Sequence, residues 1–130
     1  MDRRTKLKGA PTKKQAETLE LVSPILTAVV AEMRELSKKK QDGLLSPLKV
    51  RSINRLLGDV QTSLSDDPST RYLDLLEEDE LPQNSDAVLI LTQWEAAVAQ
   101  YRDKHQGFDE DRDWVWQLAD GGALSAQHYR

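Results

Sequence analysis

The apolar residues of the stretch 19–36 fall at Leu19, Val22, Leu26, Val29, Met33 and Leu36, in steps of 3, 4, 3, 4 and 3. That spacing keeps them on one side of a helix and calls for a second helix to cover them. A second series answers it: Val50, Ile53, Leu57, Val60 and Leu64 step 3, 4, 3 and 4. Two matched seams joined by a short polar connection predict an antiparallel helical hairpin. No segment alternates polar and apolar residues over five or more positions with turn chemistry at its ends. The predicted class is therefore all-α, a single four- or five-helix bundle built on this hairpin. Its core is expected to bring together Leu26, Val29, Met33, Ile53, Leu57, Val60, Leu91, Trp94 and Val98.

Start and stop signals divide the rest. Residues 1–11 carry Arg3, Arg4, Lys6 and Lys8 without a recurring apolar position, and read as a disordered basic arm. Thr12 followed by Gln15 is a capping box, opening a helix that should run to about Lys40. Pro24 lies inside it; a proline there removes a backbone hydrogen bond and costs roughly 3 kcal/mol, so a kink or a restart at Ser23-Pro24 is predicted. Gly43 ends the helix, and Ser46-Pro47 starts the next, which should reach Leu64. Gly58 within it costs about 1 kcal/mol against alanine and predicts a close helix approach there. Asp67-Pro68 opens a short helix over 69–80, whose end at Glu77–Glu80 opposes the helix dipole. A helix over 86–105 carries Ala87, Leu91, Trp94, Val98 and Tyr101 on one face. Asp109–Asp120 is read as a last short helix and 121–130 as a flexible tail, leaving 12–120 as the bundle domain.

Several classes of function are set aside by composition. There is no cysteine, hence no disulfide and no thiolate metal site. The longest apolar run, 87–91, is far too short to span a bilayer, and the basic N-terminus lacks the apolar core of a secretory signal. A cytoplasmic protein without membrane contact is the expectation. The net charge of −4 hides an asymmetry: residues 1–55 hold 13 Lys and Arg against 6 Asp and Glu, whereas 56–130 hold 5 against 16. The two ends should meet different partners, or each other.

The chemistry-bearing constellations are thin. Asp109, Asp111, Asp113 and Asp120 partly fit a calcium loop, but Trp114 stands where the sharp turn needs glycine, so they read as an acidic helix start. Arg102 and His105 share a helix face and only loosely suggest a hydrolase or nuclease. No glycine-based phosphate cradle, nucleophile elbow or histidine pair occurs. No catalytic residue, metal or cofactor is expected. The basic set Arg34, Lys38, Lys39, Lys40, Lys49, Arg51 and Arg55 should crowd one end of the hairpin, where it can grip phosphates or pair with the acidic run Glu77–Glu80. Trp114 and Trp116 lie two apart, which no helix buries on one face, so one of them is expected to be exposed or at an interface. The sequence thus predicts a non-catalytic interaction module with a protein partner, able to self-associate through its seams. The alternative is an accessory nucleic-acid-binding protein using the arm and the hairpin end.

Overall fold

The computed structural model describes residues 9–64 and 67–127. Three helices are followed by a small sheet: α1 Lys13–Lys39, α2 Pro47–Ser63, a 3-10 turn Pro68–Tyr72, α3 Asn84–His105, then β1 Gln106–Phe108, β2 Trp114–Gln117 and β3 Ala123–Ser125. The strands form one antiparallel meander in the order β1-β2-β3. The four- or five-helix all-α bundle is therefore wrong: the described residues hold three α-helices, and 106–125 form a sheet.

The hairpin is present. Gln15 near the start of α1 donates to the Thr62 carbonyl near the end of α2, while Leu36 and Lys49 line one groove at the other end. The capping box of Thr12 and Gln15 is made in full, and Ser46 caps α2 by accepting from the Lys49 amide. α1 runs unbroken through Pro24, with no restart at Ser23. The core residues on both sides of the proline, Leu19, Val22, Leu26 and Val30, belong to one hydrophobic cluster. Val30, not Val29, is fully buried, and Val29 and Leu36 sit at the edge of the core. The expected close approach at Gly58 is absent: a Cβ there would meet nothing within 4 Å. The close approach is at Gly43 instead, where a Cβ would stand 3.0 Å from the Asn84 side chain.

α3 lies against α1, and α1 is the central helix with α2 and α3 beside it. The start of α3 is stitched to the α1–α2 connection. Asn84 donates from its backbone to Gly43 and from its side chain to the Lys40 carbonyl, and Ser85 donates to Gln41. These bonds satisfy carbonyls of the connection that follows α1. The N-cap of α3 is Gln83, without a side-chain bond.

Between α2 and α3 the helix expected over 69–80 is not formed. Only Pro68–Tyr72 makes a turn of 3-10 helix, capped by Asp67. Beyond it the chain is extended because outside groups take its backbone. Asn54 accepts from the Leu76 amide and donates to the Leu76 carbonyl, both at 2.8 Å, and Trp94 Nε1 donates to the Asp74 carbonyl. Four consecutive carboxylates at a helix C-terminus favour the same outcome.

The helix expected over 109–120 is likewise replaced. Phe108 pairs with Trp114, and Trp116 with Leu124. The residues Trp114-Val115-Trp116 suit a pleated strand, and Asp120-Gly121-Gly122 supplies the turn, with Gly121 at φ 88°. The segment 123–125, read as tail, is β3. The sheet is fastened to the helices. Trp116 is fully buried, lies 6.2 Å from Tyr101 and donates from Nε1 to Glu20 at 2.7 Å. Ala119 donates to the Pro11 carbonyl and the Tyr101 hydroxyl to the Gly9 carbonyl, which ties residues 9–11 in as well. Residues 1–8 of the basic arm lie outside the described residues. Among the described residues, no helix is long and apolar enough to cross a membrane.

Candidate interaction surfaces

The basic set lies on α1 and α2 toward the end where the hairpin closes. Lys38, Lys39 and Lys40 end α1. Lys49 lines the groove against α1, whereas Arg51, two residues on, projects about 200° around the helix. Arg34 pairs with Glu95 of α3 at 3.4 Å, and Lys38 with Glu35 at 3.0 Å. Lys39, Lys40, Lys49, Arg51 and Arg55 are exposed. Among the described residues, no ion pair joins Glu77–Glu80 to this set. The acidic run instead borders a separate cleft of about 980 Å³, with Leu44, Asn54 and Ile90 among its walls.

The two tryptophans of β2 differ. Trp116 is core and offers no partner surface. Trp114 is half-buried, meets Phe108 edge to face at 4.9 Å and donates from Nε1 to Gln106. It forms one wall of a cleft of about 420 Å³ between α1 and α3, together with Ser23, Leu26, Val98 and Arg102.

The acidic residues Asp109, Asp111 and Asp113 gather carboxylate oxygens within 4.8 Å of one another. They build the β1–β2 turn: Asp109 Oδ1 accepts from the amides of Asp111 and Asp113. At the end of α3 a polar knot is closed into the fold. Burial works against the charge of Asp67, but the bonds from Lys104 at 2.8 Å and from Ser69 outweigh it and hold the carboxyl below its usual range. His105, beneath Tyr101 at 4.5 Å, is kept neutral to lower pH than usual by burial first and by the Lys104 charge second. Burial likewise raises the Tyr101 phenol, and the Asp67 charge adds to it. His105 is 5% exposed and is not presented to an open site.

The surface that sequence reading passed over is the outward side of α1. Leu21 is 70% exposed and Ile25 48%, and Pro24 and Ala28 are exposed beside them. The spacing i, i+3, i+4, i+7 makes one stripe. It belongs to an eleven-residue run, 21–31, without a charged side chain. A helix apolar all round is normally covered all round. Here α2 and α3 cover one side only. The signal available in the sequence was that uncharged run.

In comparison with known proteins, no protein family, curated protein or solved structure matches the chain.

Proposed function

We propose that the protein is a non-catalytic interaction module that docks a protein partner on the outward face of α1. The observation that carries this is the unpartnered stripe Leu21, Pro24, Ile25 and Ala28 on a helix whose opposite side is already core. Burying such residues stabilises a complex by roughly 25 cal/mol per Å² of apolar surface removed from water. The reading stands ahead of phosphate binding because two of the cations at the hairpin end already have carboxylate partners. It stands ahead of catalysis because the titratable groups with shifted pKa values, Asp67, Tyr101 and His105, serve the packing at the end of α3.

The test is a photo-crosslinking side chain placed at position 25 in the producing cell, with one at the exposed Leu89 of α3 as control. A protein adduct formed from position 25, absent from position 89 and abolished by Leu21→Glu, is the expected result. No adduct from position 25, with a folded protein, would refute the reading.

A further inference from the structure

The outward stripe has an internal symmetry. Along α1, Lys14, Thr18, Leu21, Ile25, Ala28 and Glu32 follow in steps of 4, 3, 4, 3 and 4 outside the core; Thr18 is half-buried, and Glu32 also borders the groove toward α2. They form a second seam, opposite the one packed on α2 and α3. A two-fold axis midway between Leu21 and Ile25 maps this set onto itself. Leu21 exchanges with Ile25, Thr18 with Ala28, and Lys14 with Glu32. Lys14, Leu21, Ile25, Ala28 and Glu32 are all exposed, and neither Lys14 nor Glu32 has an ion-pair partner among the described residues.

From this we infer that the occupant of the α1 face is a second copy of this chain, packed antiparallel through α1. The inference rests on the docking role proposed above and names its partner. An isologous contact requires each patch to complement itself under a two-fold. The seam meets that requirement in both shape and charge. Four aliphatic side chains, Leu21 and Ile25 of each copy, meet at the centre. The small Thr18 and Ala28 flank them and let the helices approach. At each end Lys14 of one copy faces Glu32 of the other. Parallel pairing would set Lys14 against Lys14 and Glu32 against Glu32, at a cost. Shifting the antiparallel axis to lie between Pro24 and Ile25 would bring Glu17 against Glu32. The charges thus select the antiparallel direction, and the register centred between Leu21 and Ile25 is the one that sets Lys14 against Glu32 without bringing Glu17 against Glu32. The seam from Lys14 to Glu32 is about 27 Å long. One such face buries less than the roughly 1,600 Å² of a standard interface, so the dimer is weak and forms with rising concentration.

Sedimentation velocity of the whole chain over a range of concentrations tests this. The wild type should pass from monomer to dimer. Ile25→Glu should remain monomeric while keeping its helical circular dichroism, since the side chain is half in solvent. Lys14→Glu alone, and Glu32→Lys alone, should each weaken the dimer by about tenfold, because two end pairs become repulsive. The double variant should restore it. A wild type that stays monomeric throughout overturns the inference, as does a dimer that survives Ile25→Glu. Single charge reversals without effect, or a double variant that fails to recover, overturn the antiparallel register. The two proposals fail separately: a position-25 adduct with a different protein, beside a monomeric wild type, keeps the docking role and discards the second copy.

Discussion

Replacing Trp116 with alanine tests whether the C-terminal sheet is part of the cooperative fold. The side chain is fully buried, stands between the sheet and α1, and touches Tyr101 of α3. Large-to-small changes of this kind cost about 3–5 kcal/mol, the transfer of the ring plus the cavity it leaves. Here the Nε1 bond to Glu20 is lost too, and Glu20 keeps only the Gln127 amide, at 3.3 Å. A lost hydrogen bond to a charged group adds roughly 1.5–3 kcal/mol in general. Glu20 is half-buried and can recover water, so the total should stay near the middle of the first range. For 130 residues, 1 kcal/mol corresponds to about 4 °C in melting temperature. Far-UV circular dichroism should therefore show a single transition lowered by roughly 10–20 °C. Trp116→Phe should fall by less than half as much. A loss under about 1 kcal/mol, or a first transition that leaves the helical signal intact, would show that the sheet is an appendage and that Trp116 does not join the layers.

Three further outcomes follow from the same contacts. Asn54→Ala removes both bonds to Leu76 and should cost about 1–3 kcal/mol, with faster proteolysis between Asp74 and Pro82; unchanged cleavage would mean that Asn54 does not hold the loop. His105 has a lowered pKa in the fold, so the unfolded chain takes up a proton first. Stability should be full above about pH 6.5 and fall as the pH drops below it. His105→Phe should flatten that fall, measured by urea unfolding across the range; a slope unchanged by the substitution would place the titration elsewhere. Asp67 has the opposite sense: its lowered pKa stabilises the fold above the ordinary carboxylate value and is lost as acid titrates it. Lys104→Met should therefore destabilise at neutral pH by about 1–2 kcal/mol, below the figure for a fully buried pair because Lys104 keeps 43% of its side chain in solvent. The difference from wild type should shrink in acid, and a difference independent of pH would exclude the ion pair as its cause.

The three helices were readable from local pattern because each signal is confined to a few neighbouring residues. The seam at Leu19 to Met33, the capping box at Thr12 and Gln15, and Ser46-Pro47 act through turns of one helix. The pairing of α1 with α2 followed, since two matched seams have one short connection. The sheet did not show itself that way. Its strands are three or four residues long, too short to display alternation, and each exists only because another supplies its hydrogen bonds. The two-residue spacing of Trp114 and Trp116 and the turn Asp120-Gly121-Gly122 were its traces in the sequence. The extended path after Tyr72 was equally invisible locally, because Asn54 and Trp94, distant in sequence, take the backbone groups that a helix would have used. The exposed face of α1 belongs to the same class. That 21–31 carries no charge is plain from the chain, but which side of it lies bare depends on where α2 and α3 pack. Periodicity states that a helix has an apolar side; only the placement of its neighbours decides which apolar side is left over.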